Sequence, residues 1–288
     1  MRRNIYLLVV LVTQFLAAHN YLYAETPADT VKFRLKANGR IIVPVRINDG
    51  EVLEFLVDTG ATTTTLTSET ARRLKLEPTS RTEVDTPTGT ITIPQGSISR
   101  ITMGKRSATD VKVYWTELPV LRGVDSNLSG ILGLNFLKQF NFAIDFESKS
   151  IRLMDGSATP ANGDRIPMRI KGGRMLLSLT IGGTRVDLAL DSGASHVFLY
   201  SSGCRKLGTH MQPSEQVMQA ASNAGSISIE SAFLDNLWVG GVKLDRLAVG
   251  LLRDVERPAD GLLPLHLFRS VYVNNLDGYV IVNPRSAN

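Results

Sequence analysis

Phe55-Leu56-Val57-Asp58-Thr59-Gly60-Ala61 is three apolar residues delivering one acid onto a turn. The apolar run reads as a buried strand. A carboxylate at the end of such a strand is costly unless it is hydrogen-bonded or shares its charge with a partner. A partner stands at Leu188-Ala189-Leu190-Asp191-Ser192-Gly193-Ala194, which places the two acids 133 residues apart. One Asp-(Thr/Ser)-Gly tripeptide marks an ordinary turn. Two of them, with the same apolar approach and the same trailing alanine, mark a repeat if the surrounding chain repeats as well.

It does. Upstream of Asp58, Val31 to Leu35 and Ile41 to Ile47 read as strands, Asn48-Asp49-Gly50 as a hairpin turn, and Val52 to Val57 as the return strand. Upstream of Asp191, Ile166, Met168 and Ile170 alternate, Gly172-Gly173 turns, Met175 to Ile181 runs on, and Gly182-Gly183 turns into Val186 to Leu190. Gly50 and Gly183 are again 133 apart. Downstream, Thr62 to Leu66 reads as a strand and Ser68 to Leu74 as a short helix with a Thr or Ser cap, matched by Tyr200 to Leu207. The turns at Gly89 and Gly225, and at Gly104 and Gly240, share an offset of 136, and the apolar runs from Gly130 and Gly261 an offset of 131. Each half closes with β-like sequence, Phe142 to Leu153 and Val271 to Val282. The chain therefore reads as mainly all-β: residues 29–155 form one lobe, 156–163 a Gly/Ser/Pro-bearing linker and 164–288 a second lobe.

Composition narrows the classes. The 288 residues are 43% hydrophobic and 20% charged, globular in character, and only 7% aromatic, which favours many short strands over a helical bundle. Arg2-Arg3 and the apolar run from Ile5 to Val12, ending near Ala24, read as a secretory signal over 1–24, with an uncleaved membrane anchor as the alternative. An exported protein, periplasmic or secreted, is the expectation. Loss of that segment takes the net charge from +5 to +3, and the basic residues form no aromatic-interleaved patch, so nucleic acid is not an expected partner. Cys204 is the single cysteine, so the fold rests on its core rather than on a disulfide. The four histidines, 19, 196, 210 and 266, show no metal-ligand spacing, and neither a metal nor a cofactor is called for. Ser195 and His196 are neighbours, which on an extended strand would point to opposite faces.

Two like units packed about a pseudo-two-fold axis bring their equivalent loops together. Carboxylates a few ångströms apart cannot both ionise freely, so Asp58 and Asp191 would share a proton. The ionised member could take a proton from water while the protonated one polarises a peptide carbonyl. Gly60 and Gly193 allow close approach, and Thr59 and Ser192 offer short hydroxyls to bond across the junction.

With these loops and the apolar Ile131-Leu132-Gly133 motif in view, the chain resembles the aspartic proteases, and within them the retropepsin-like branch, including bacterial exported members. The resemblance runs from about Val31 to Val282. It implies two β-barrel lobes in one chain, a monomer with an internal pseudo-dimer where viral members pair two chains, and a peptide or protein as substrate. It implies Asp58 and Asp191 as catalytic pair, supported by the loop residues Thr59, Gly60, Ala61, Ser192, Gly193 and Ala194. The turns holding Thr88 and Gly89, and Ala224 and Gly225, become candidate flaps. Neither flap turn carries a Tyr. Pro264 stands where the motif has Gly, and its fixed φ and missing N–H are expected to change packing behind Asp191. On that ground a peptide-binding module without hydrolysis is the alternative to an endopeptidase.

Overall fold

The computed structural model describes residues 29–86, 89–156, 163–222 and 224–284. The apolar segment read at 1–24, most of the expected linker, and Thr88 lie outside them. Within the described residues the chain is mostly strand, with short helices such as Ser68–Arg73 and Ser201–Leu207.

Each acid is delivered by the same local construction. Ile41–Ile47 and Val52–Val57 pair antiparallel, with Ile41 opposite Val57. Their connection puts Asn48 at φ 48° and Asp49 at φ 59°, the two-residue turn whose twist suits a hairpin. Gly182 and Gly183, at φ 54° and 84°, turn Arg174–Ile181 into Thr184–Asp191 in the same way. Each return strand then runs parallel to a short inserted strand: Val52–Val57 beside Gly130–Leu132, and Thr184–Asp191 beside Gly261–Pro264. The far edges of those insertions are covered by Thr64–Thr67 and Val197–Tyr200.

These strands are buried on both faces, which is why they read as unbroken apolar runs rather than alternating ones. Phe55, Val57, Leu188 and Leu190 enter the main core, while Leu56 and Ala189 point the other way into two smaller apolar clusters. Phe55, Phe136, Phe142 and Phe268 are fully buried; each such side chain stabilises the fold by about 1.5–3 kcal/mol. Cys204 is buried and free.

The lobes are joined by a palindromic sheet. Asp29–Lys32, Ser150–Met154 and Asn141–Asp145 come from the first half, and Phe268–Asn274, Tyr279–Pro284 and Ile166–Lys171 from the second, in that spatial order. The junction is antiparallel, with Phe142 opposite Val273 and Ile144 opposite Val271. Asn141 Oδ1 accepts from the Asn275 backbone N–H at 2.8 Å, and Asn275 Nδ2 donates to the Phe140 carbonyl at 2.6 Å. Backbone pairing thus continues across the pseudo-two-fold axis and fixes the lobes to each other.

Candidate active site

Asp58 directly follows its strand with its N–H on the Leu132 carbonyl at 3.1 Å, and the chain then turns back on its own side chain. Asp58 Oδ1 accepts the N–H groups of Gly60 (2.8 Å) and Ala61 (3.1 Å). Asp191 Oδ1 accepts those of Gly193 (2.8 Å) and Ala194 (3.0 Å). Each loop therefore holds one oxygen of its own carboxyl. The two carboxyls also meet: a Cβ on Gly60 would stand 2.4 Å from Asp191 Oδ2, and one on Gly193 would stand 2.8 Å from Asp58 Oδ2. Glycine at both positions is what lets each acid lie against the opposite loop, close enough for the charge of Asp58 to act on Asp191.

Thr59 and Ser192 lock this approach reciprocally. Thr59 Oγ1 donates to the Leu190 carbonyl at 3.0 Å and accepts the Ser192 N–H at 3.0 Å. Ser192 Oγ donates to the Val57 carbonyl at 2.8 Å and accepts the Thr59 N–H at 3.1 Å. All four bonds cross between lobes and both side chains are buried, so the acids are set by a fully satisfied polar network.

Burial raises both carboxyl pKa values above the ordinary range. Asp191 is raised further by the charge of Asp58 beside it, the behaviour of a pair that holds one proton in common. Arg174 acts on Asp58 in the opposite sense, favouring its ionised form. Burial and the charge of Asp191 push the phenol of Tyr200 up to about 12, so it stays protonated beside the acids.

The pair sits at the base of a cleft of about 250 Å³. One wall carries Leu56, Val120, Val124 and Ile131, the other Phe198, Leu252 and Leu262. Two hairpins reach the cleft: Ser80–Thr86 with Gly89–Met103, and Met211–Ser222 with Gly225–Leu234. Their equivalent residues touch, Ser222 Oγ donating to Thr86 Oγ1 at 2.9 Å, and both line the cavity. Arg257 Nη2 donates to the Thr86 carbonyl at 2.7 Å, tying the first hairpin to the second lobe. Of the candidate flap residues, Gly89 and Ala224 face each other, the Cβ of Ala224 lying 3.8 Å from where a Cβ on Gly89 would be. Gly225 opens its strand, and Thr88 lies outside the described residues.

Two expectations need correction. Pro264 does not disturb the second loop. It sits in parallel register with Asp191 at φ −65°, and the hydrogen bonds to Asp191 match those to Asp58. In the first lobe the Gly133 N–H donates to Thr64 Oγ1 at 3.1 Å, and a Cβ on Gly133 would press on the Thr63 backbone at 2.7 Å. The residue equivalent to Thr64 is Val197, so the second lobe lacks donor and acceptor together, an exchange that leaves nothing unpaired. Ser195 and His196, in turn, lie in a bend rather than a strand, and His196 Nδ1 comes to 3.1 Å from Ser195 Oγ. Burial and the charge of Arg40 lower the imidazole pKa.

Sequence reasoning missed Arg40, Arg174, Tyr200 and Tyr114, all of which line the cleft. For the arginines a signal existed, since both precede the first apolar residues of equivalent strands at nearly the offset of the acids. Among the described residues no cluster of His, Cys, Asp and Glu is arranged to hold a metal ion.

A single chain of two β lobes, with twin Asp-(Thr/Ser)-Gly loops meeting under paired hairpins, has the architecture of the acid-protease class. The aspartyl protease family model matches it twice, over residues 43–136 and 177–266, one match for each lobe and together well over half of the chain. The chain belongs to the aspartyl protease family. Among solved structures it is similar to a retropepsin-like aspartic protease from Rickettsia conorii, with 20% identity, a TM-score of 0.32, and coverage of 44% of this chain and 90% of that one. No match was found among curated proteins.

Proposed function

We propose that this protein is an aspartic endopeptidase that hydrolyses peptide bonds with water activated between Asp58 and Asp191. The observation that carries the reading is the reciprocal packing of the two loops, in which each glycine lies against the opposite carboxyl. Two acids held this close in a desolvated site share one proton, and that gives them separate roles. The ionised carboxylate accepts a proton from water as it attacks the scissile carbonyl. The protonated carboxyl donates to the carbonyl oxygen as negative charge develops there. The proton taken from water then passes to the leaving nitrogen, and the pair returns to its single-proton state.

The rest of the site fits that chemistry. The Thr59–Ser192 network keeps the acids in register, and preorganised polar groups need no rearrangement during reaction. The apolar walls suit aliphatic or aromatic side chains beside the scissile bond, and the meeting hairpins suit the cover of an extended peptide. The alternative of a binding module without hydrolysis drew on Pro264, and the matched hydrogen bonding of the two loops supports the endopeptidase reading over it. Export from the cytoplasm is part of the same proposal, drawn from the leader-like residues 1–24, and N-terminal sequencing of the mature protein tests it.

The decisive experiment makes Asp58→Asn and Asp191→Asn separately and assays cleavage of a peptide library and of an unfolded protein from acid to neutral pH. Each variant should remain folded and lose activity by several orders of magnitude. A wild-type rate from either one would overturn the shared pair.

A further inference from the structure

Arg40 immediately precedes Ile41–Ile47, and Arg174 opens Arg174–Ile181. In the pairing registers Ile42 lies opposite Leu56 and Leu176 opposite Ala189, so residues 134 apart are equivalent on these strands and the two arginines correspond. Both line the cleft that holds Asp58 and Asp191, and both are half-buried. Among the described residues neither makes an ion pair or a side-chain hydrogen bond, whereas Arg34, Arg106, Arg169, Arg205 and Arg253 each pair with a carboxylate.

A half-buried guanidinium keeps its charge and has five N–H groups to satisfy. The other charged groups of the cleft do not meet that demand. The acid pair holds a proton in common and so offers about one negative charge for two cations. Asp85 accepts from Thr90 Oγ1 at 2.7 Å, and Arg257 adds a further positive charge, already engaged with the first hairpin. Leu56, Ile131, Phe198 and Leu262 give the same cleft apolar patches. A cleft with apolar patches and one cation from each lobe, neither of them in an ion pair among the described residues, complements a peptide with apolar residues in the middle and acids outside them.

We propose that Arg40 and Arg174 are specificity-determining residues, each binding an acidic side chain on one side of the apolar residues that flank the scissile bond. The preferred substrate class is then an acid-flanked peptide. This rests on the proteolytic reading for the bond that is cut, but the recognition itself is measured without cleavage.

The probe is a fluorescent decapeptide with a central Leu-Phe, carrying Glu or its neutral isostere Gln two and three positions before that pair, or two and three positions after it. Binding is measured by anisotropy to the full-length protein bearing Asp58→Asn. Charge-assisted bonds in a partly desolvated cleft are worth about tenfold in affinity. Glu peptides of both series should bind about tenfold more tightly than their Gln counterparts, with the advantage falling as salt rises. Arg40→Gln should abolish the advantage in one series and Arg174→Gln in the other, while Arg→Lys at either position keeps part of it. Thermal melts of each variant verify that it is folded.

Equal affinity for Glu and Gln peptides, no peptide binding, or an advantage that survives both Gln variants would overturn the proposal. So would arginine variants that shift only the pH profile of wild-type cleavage, since that result assigns the arginines to tuning the acid pair. Acid-dependent binding with no cleavage by the wild type would remove the protease reading and leave the recognition standing. Cleavage with no preference for Glu would do the reverse.

Discussion

Replacing Gly60 by alanine tests the close approach of the loops with a single methyl group. Its backbone lies outside the left-handed region, so alanine meets no conformational strain there and the effect is steric alone. The added Cβ would stand 2.4 Å from Asp191 Oδ2 and 2.5 Å from Cγ, about 1 Å short of ordinary contact. Asp191 cannot simply rotate away, because its Oδ1 is held by the Gly193 and Ala194 N–H groups. The loops must part instead, against the four Thr59–Ser192 bonds. Overpacking of this kind costs about 1–3 kcal/mol, offset by roughly 0.4–1 kcal/mol from the stiffer unfolded chain. The expected net loss is small beside the catalytic effect, since a 1 Å misplacement of reacting groups costs about a hundredfold. Gly60→Ala should therefore lower kcat/KM by at least about a hundredfold on any peptide the wild type cleaves, while urea unfolding shows a loss of about 1–2 kcal/mol. Gly193→Ala, whose Cβ would meet Asp58 at 2.8 Å, should be milder. Gly208→Ala is the control, with open space around its Cβ and helical dihedrals. Wild-type kcat/KM and stability in Gly60→Ala would refute the reasoning, because the carboxyl of Asp191 could not then lie where the methyl must go.

Other perturbations address the network, the proton and the proline. Thr59→Val strands the Ser192 N–H and the Leu190 carbonyl, and Ser192→Ala strands the Thr59 N–H and the Val57 carbonyl. Each should cost about 1–3 kcal/mol in urea unfolding, with the double variant costing less than the sum because the bonds are shared; independent, additive losses would contradict a single network. Both acids hold their proton more tightly folded than unfolded, so their contribution to stability is full below the unfolded carboxylate pKa of about 4 and is lost as pH rises through the raised folded values. Asp191→Asn should accordingly be more stable than wild type at pH 7, with the gap closing below pH 4; a gap that widens in acid would reverse the sign of the shift. Pro264→Gly restores the motif residue but frees the chain, so it should lose about 1 kcal/mol of stability without a gain in rate. A large increase in activity would show that the proline does hold back the second loop.

Much of this arrangement was legible in the residues alone, because it rests on local chemistry. The hairpin turns at Asn48-Asp49 and Gly182-Gly183, the apolar strands running into Asp58 and Asp191, and the helix after Thr67 with its cap on the Thr70 N–H all depend on nearest neighbours and periodicity. Duplication of those features along the chain then implied two lobes and one acid from each. The closing segments read only as β-like, and nothing in them specified that three strands from each half would join edge to edge into one sheet. The Thr–Ser junction was legible as a possibility, but the partners of the hydroxyls, the carbonyls of Leu190 and Val57, follow from the way the loops interpenetrate.

By itself, then, the sequence determined the repeat, the strands and the identity of the paired acids, since turn chemistry and apolar runs act over a few residues. Tertiary structure alone decided that Val197 and Pro264 stand where the first lobe pairs Thr64 with Gly133, and that Arg40 and Arg174 face a common cleft with no ion pair among the described residues. Those outcomes depend on side chains 67 and 134 positions apart in the sequence, and only the packing of strands and lobes determines what such distant residues touch.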